Sequence, residues 1–190
     1  QEKIKLLGAK DSKLLTPIQR KKIKDQVQLT YKYKIVDSEP KEIDDFPNLN
    51  SLEALKASMI VNHLIKDIDE KVKVIVDAPS TNASAWGEQL KELILKKDQV
   101  EIVSEHKADL NYPVVSAASI LAKENREKNI RKLKKELDAD FGSGYPADPK
   151  TKKFLEENWN NEKFEGLIRK SWSTYKKIAD KGKQKELYFL

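Results

Sequence analysis

The chain has 190 residues, 38% of them hydrophobic, no cysteine and a formal charge of +6. That length can bury one substantial core, and the absence of cysteine excludes a disulfide framework and any thiolate-held metal, leaving oxygen or imidazole donors for hard cations such as Mg2+. No run approaches the roughly 18 apolar residues of a membrane span, and Gln1-Glu2-Lys3-Ile4-Lys5 lacks a signal peptide's apolar stretch, so a soluble, cytoplasmic protein with no membrane partner is expected.

Hydrophobic periodicity predicts alternating helices and strands, an α/β class. Thr16-Pro17-Ile18-Gln19 is a capping box with proline at the first helical position, opening a helix to about Leu29. Tyr31, Tyr33 and Ile35 alternate with lysines and predict a half-buried strand over 31–36. Asn50 can cap the next helix, whose apolar stripe would be Leu52, Leu55, Met59, Ile60, Leu64 and Ile68. Val72, Val74 and Val76 mark a strand ending at Asp77. A helix follows with Trp86, Leu90, Leu93 and Ile94 on one face.

A third strand is expected over 99–104, and Pro113 then opens a long helix closed by the Gly142-Ser143-Gly144 turn. Asp148-Pro149 starts a shorter helix, and Ile168 to Ala179 the last. Three strands are few for at least six helices, since a mean sheet has about five or six. From Lys150 to Leu190 eleven Lys/Arg face six Asp/Glu, a net +5 that leaves +1 for the first 149 residues. A basic end of this kind suits a polyanionic partner or, more plainly, a solvated helix face.

In open α/β sheets functional groups gather at the carboxyl ends of strands, where Asp77 and Asp109 both fall. Two carboxylates from separate strands repel unless a divalent cation lies between them. The plainer reading of each is a helix cap or turn former.

Longer motifs sharpen this. Lys10-Asp11-Ser12-Lys13-Leu14-Leu15-Thr16, Val76-Asp77-Ala78, Glu105-His106-Lys107-Ala108-Asp109 leading through Tyr112-Pro113-Val114-Val115-Ser116-Ala117-Ala118-Ser119-Ile120-Leu121-Ala122-Lys123, Gly142-Ser143-Gly144-Tyr145-Pro146-Ala147-Asp148-Pro149 and Arg169-Lys170-Ser171-Trp172 together resemble ribonuclease HII of the archaeal type, from about Leu7 to Lys177. The resemblance implies a ribonuclease-H-like mixed sheet flanked by helices, with a catalytic domain over 1–145 and a basic helical region over 146–190.

It further implies an endonuclease that cuts the RNA strand of RNA–DNA hybrids, and single ribonucleotides embedded in duplex DNA, by two-metal hydrolysis with two Mg2+ or Mn2+ ions. Asp77 and Asp109 match the family's third and fourth metal carboxylates. Tyr145 matches the tyrosine that stacks at the ribonucleotide and senses its 2′-hydroxyl. Ser12 and Lys13 resemble a phosphate-contacting loop, and Asn50 an asparagine near the duplex backbone; for all three the plainer role is local capping. Lys107, Ser116 and Ser119 surround Asp109, with phosphate contact or support of the site set against helix capping and packing. His106 is near enough to assist proton transfer, and His63 is expected to be structural.

The family begins with a strand carrying Gly-Ile-Asp-Glu-Ala-Gly-Arg-Gly, which supplies two of its four metal carboxylates. Residues 1–7 instead resemble the approach to the Asp-Ser-Lys loop, so the first two strands of the family are expected to be absent from these 190 residues. Three accounts fit: a fragment, a separate polypeptide supplying the strands, or a degenerate homologue. The expectation is impaired cleavage by this chain alone, with a non-catalytic hybrid-binding module as the alternative. The tail Gln184-Lys185-Glu186-Leu187-Tyr188-Phe189-Leu190 resembles a compressed sliding-clamp binding peptide, or a terminus that simply packs or frays.

Overall fold

A computed structural model describes residues 15–188, with side chains as far as Gln184. These residues divide into two compact units, one of residues up to Asp37 with Asn48–Arg126, the other of Ser38–Pro47 with residues from Glu127 onward. No helix among the described residues is long and apolar enough to cross a membrane.

In the first unit, helix α1 (Pro17–Thr30) starts as its sequence dictates. Thr16 N–H and Oγ1 both donate to Gln19 Oε1, and Gln19 N–H returns a bond to Thr16 Oγ1. Its Ile23 and Val27 pack with Ala117, Ile120 and Leu121 of the long helix α6 (Pro113–Leu137). The largely buried pair Arg20–Glu124, at 3.1 Å, fastens the two helices beside that cluster.

Residues 32–39 form no regular element and pair with no strand among the described residues, contrary to the strand expected over 31–36. Tyr31 packs against the α1–α6 cluster and Ile35 is half-buried, but Tyr33 is 40% exposed, while Lys32 Nζ donates to the Leu64 carbonyl at 3.3 Å. Side-chain periodicity registers burial but not whether a neighbour completes a ladder.

Helix α3 (Leu49–Ile65) follows, after the short α2 (Pro40–Asp45) of the second unit. Its cap is Asn48, whose Oδ1 accepts from Asn50 N–H and Ser51 N–H, so Asn50 stands in the first turn and is not the cap. The buried stripe also differs from the expected one. Leu52, Ala54, Ser58, Val61 and Ile65 face inward, while Leu55 and Met59 are 37% and 48% exposed. Small residues let α3 approach its neighbours closely, and a reading that follows the largest apolar side chains misses such a face.

Strand β1 (Val72–Asp77), helix α4 (Ala83–Glu92) and strand β2 (Val100–Glu105) form a βαβ unit, and the two strands pair in parallel from Val72 opposite Val100 to Asp77 opposite Glu105. These are the only strands among the described residues. Trp86, Leu90 and Ile94 join Ala54, Val61, Ile65, Val100 and the β1 valines in one core; Leu93, expected on that face, is 39% exposed.

The one-turn helix α5 (Ala108–Asn111) follows β2, and α6 runs Pro113–Leu137. It ends four residues before the Gly142-Ser143-Gly144 turn, where Asp138 takes a left-handed φ of 47°.

In the second unit, α7 (Pro149–Asn158) is capped by Asp148 as expected. The last helix, α8, spans Ser173–Tyr188, later and longer than the expected 168–179. Its core joins Leu155, Phe164 and Ile168 with Phe154, Tyr175 and Ile178, the Phe154 and Phe164 rings meeting edge to face at 4.8 Å. Asp44 of α2 belongs here because its carboxylate accepts the N–H groups of Lys170 and Ser171.

Candidate active site

Asp77 is the last residue of β1 and is exposed. The ladder continues one step past it, Ala78 N–H donating to the Glu105 carbonyl at 2.9 Å. Beyond β2 the chain must turn sharply, and Lys107 does so in the left-handed region, φ 56° and ψ 36°. A lysine there carries on the order of 1 kcal/mol of backbone strain, which the surrounding bonds must offset. The turn directs the Ala108 N–H onto Asp77 Oδ1 at 3.2 Å. Asp109, the next residue, therefore lies at the carboxyl end of β1, in the first turn of α5.

Among the described residues Asp77 Oδ2 and both Asp109 oxygens have no hydrogen-bond or ion-pair partner. Carboxylates at and just past a strand end are the oxygen donors that suit Mg2+ or Mn2+, which characteristically take one or two carboxylates and fill the rest of the shell with water and substrate. Among the described residues no group of three His, Cys, Asp or Glu side chains has metal-holding spacing.

Two residues at this place were not singled out from sequence. Glu105 is the register partner of Asp77, and its Oε1 accepts the Tyr112 hydroxyl at 2.9 Å. That bond, with burial, holds the Tyr112 phenol above its ordinary range. A carboxylate and a tyrosine seven residues apart across a turn give no sequence signal, because the turn's path depends on the unusual backbone of Lys107.

Asn50 reaches the same end of the sheet. Its carbonyl accepts Trp86 Nε1–H at 2.9 Å, joining the start of α3 to the first turn of α4, the helix that follows β1; its side-chain amide has no partner among the described residues. His106 Nε2 lies 3.3 Å from the Thr81 carbonyl and is exposed. Ser116 is buried at the start of α6, where its N–H donates to the Tyr112 carbonyl at 3.1 Å, and Ser119 is half-buried one turn on. His63 is exposed in the last turn of α3. Ser12 and Lys13 lie outside the described residues.

Tyr145 belongs to the second unit and is 53% exposed. The loop beneath it is tightly bonded. Asp148 Oδ2 accepts Ser143 N–H at 2.6 Å, Thr151 Oγ1 accepts Gly144 N–H at 3.1 Å and donates to the Phe141 carbonyl at 2.8 Å. Asp140 accepts from Lys134 Nζ at 2.6 Å, Lys150 Nζ at 3.1 Å and Gly142 N–H at 3.2 Å.

The ammonium groups of Lys134 and Lys150, then the Gly142 amide, hold the Asp140 carboxyl well below the usual range, and the Ser143 amide and hydroxyl with the Lys150 amide lower Asp148. Depressed carboxylates bind fewer protons folded than unfolded. Their contribution is thus complete above the unfolded value of about 3.9 and is lost as pH falls through the folded values. The loop should stay intact at pH 4 and loosen only under stronger acid. NMR titration of the Ser143 and Lys150 amide shifts checks this, and midpoints at or above the ordinary aspartate value would contradict it.

The solved structures with this architecture are ribonuclease-H-like. The ribonuclease H2 of Pyrococcus horikoshii superposes with a TM-score of 0.82 at 36% identity over 95% of this chain and 84% of that one. The ribonuclease HII in a PCNA:RNase HII complex from Archaeoglobus fulgidus gives 0.80 at 29% identity over 93% and 83%. The fold is that of the ribonuclease-H-like enzymes. The family model for ribonuclease HII matches residues 1–175, and the ribonuclease HII of Pyrococcus furiosus is 43% identical over 189 residues, 97% of this chain and 81% of the relative. The chain belongs to the ribonuclease HII family, the type 2 ribonuclease H endonucleases that act on RNA–DNA hybrids.

Proposed function

We propose that Asp77 and Asp109 hold the divalent cations of a two-metal hydrolysis that cuts the RNA strand of hybrids and single ribonucleotides in duplex DNA, leaving 5′-phosphate and 3′-hydroxyl ends. The observation that carries this reading is the Ala108 N–H bond to Asp77 Oδ1, which joins the Asp109 turn to the end of β1 and leaves the other carboxylate oxygens without a partner among the described residues. Bound Mg2+ or Mn2+, two ions in the complete site, supplies Lewis-acid stabilisation of the scissile phosphate and a more acidic attacking water.

The protein's own groups bind and orient. Tyr145, half-exposed on a locked turn, stacks at the ribonucleotide and reads its 2′-hydroxyl, the group that separates RNA from DNA. Lys107, Asn50, Ser12 and Lys13 contact phosphates, while buried Ser116 and half-buried Ser119 support the start of α6. Residues 1–145 act as the catalytic domain and the basic 146–190 region adds duplex affinity that weakens with salt. The setting is cytoplasmic.

The Archaeoglobus complex supports a sliding clamp as partner, engaged through Gln184–Leu190. The deciding experiment incubates the chain with Mg2+ and a duplex containing one ribonucleotide, with and without a peptide carrying the family's first two strands. Cleavage dependent on the peptide supports the reading; hybrid binding without cleavage in either case overturns it in favour of a non-catalytic binding module.

A further inference from the structure

We propose that Trp86 is a positioning residue for substrate binding, holding Asn50 so that its side-chain amide donates to a phosphate of the duplex. The inference rests on the reading of Asn50 as a phosphate contact and deepens it.

The start of α3 has little backbone left to offer an anion. A helix N-terminus binds phosphate through amides that lack a partner. Here the amides of Asn50, Ser51 and Leu52 all donate to Asn48, the first two to its Oδ1 at 2.8 and 3.3 Å and the third to its carbonyl at 3.0 Å. Contact at this turn therefore falls chiefly to side chains. Asn50 is partly exposed in the first turn, and its amide has no partner among the described residues.

Its backbone, by contrast, is bound on both sides. The N–H meets Asn48 Oδ1, and the carbonyl accepts Trp86 Nε1–H at 2.9 Å. That second bond comes from a different helix and from a firm anchor, since Trp86 is buried in the core that holds Ala54 and Leu90. Gln89 Nε2 runs beside it from α4 to Ser51 Oγ at 3.0 Å. A buried indole N–H needs an acceptor in any core. What gives this bond a further role is that the residue it grips carries the free amide. Fixing that amide before the duplex arrives lowers the ordering entropy lost on binding, and a bond to a charged phosphate is strong enough for a misplaced donor to be felt as affinity.

Fluorescence anisotropy with a DNA duplex carrying one ribonucleotide, on the full 190-residue chain and without divalent cation, reads affinity apart from turnover. Asn50→Ala should weaken binding about tenfold, the size expected for a hydrogen bond to a charged group. Trp86→Phe keeps an aromatic ring in the core and removes the donor, and should weaken binding about threefold through looser ordering of the amide. The double variant should bind no worse than Asn50→Ala, because Trp86 acts through Asn50; a merely structural loss would multiply with it. Should Trp86→Phe not fold, replacement of Trp86 by benzothienylalanine, with sulfur where the indole N–H stands and nearly the same shape, should give the same loss. Parental affinity in whichever of these two variants folds, or losses that multiply in the double variant, overturns the proposal. Parental affinity in Asn50→Ala sinks instead the reading of Asn50 as a phosphate contact, so the two failures are distinguishable.

Discussion

Asp77→Asn should reduce cleavage of a ribonucleotide-containing duplex by about 10³-fold, measured on the chain supplied with the family's first segment. The substitution is nearly isosteric. Asparagine's amide oxygen can still accept the Ala108 N–H that Asp77 Oδ1 accepts at 3.2 Å, so the turn and the melting temperature should hold while the charge facing the cations is lost. Asp109→Asn should be equally damaging, and the double variant little worse than either, because donors to one cation act as a unit. Hybrid binding should persist through Tyr145 and the basic end. More than a tenth of parental activity in Asp77→Asn would remove it from the reaction.

Gly142→Ala should destabilise the second unit by about 3 kcal/mol, combining the left-handed backbone penalty with overpacking. Gly142 has φ +70°, and an added Cβ would stand 2.6 Å from Asp148 Oδ2, 2.9 Å from Lys150 Cβ and 3.0 Å from Thr151 N. Asp148 is the acceptor that locks the Ser143 amide, so relief of the clash breaks the loop beneath Tyr145. A melting point lower by roughly 6–12 °C follows for a chain of this size. Weaker discrimination between ribo- and deoxyribonucleotide substrates should accompany it. Gly166→Ala is the control: φ is +78° with nothing within 4 Å, so only the backbone term of about 1 kcal/mol applies. Equal losses at the two glycines would show that the packing around Gly142 contributes nothing.

Local chemistry was the legible part. The Thr16–Gln19 capping box, the Asp148 cap with Pro149 and the valine alternation of β1 each depend on neighbours a few residues away, and each appears at or within a residue of its expected place. Features set by distant partners were not legible. The 31–36 segment alternates like a strand but pairs with none among the described residues, and the close approach of α3 buries Ala54 and Ser58 in preference to Leu55 and Met59. At the candidate site, strand-end position alone left Asp77 and Asp109 open to a capping or turn role, and it was the longer motifs around them that singled them out. The Lys107 turn and the Glu105–Tyr112 bond depend on a left-handed lysine, which residue preferences do not foretell.

The course of the chain has a consequence for how it is made. Residues 38–47 belong to the second unit although their neighbours on both sides belong to the first, and Asp44 finds its amide partners 126 and 127 positions downstream. At roughly 5–20 residues per second, a ribosome adds that stretch in about 6–25 s, during which α2 has emerged but its partners do not exist. Expression fragments cut at Arg126 would carry the same orphaned segment permanently. The second unit is thus not separable by a single cut, and its assembly must wait until Lys170 and Ser171 have been made.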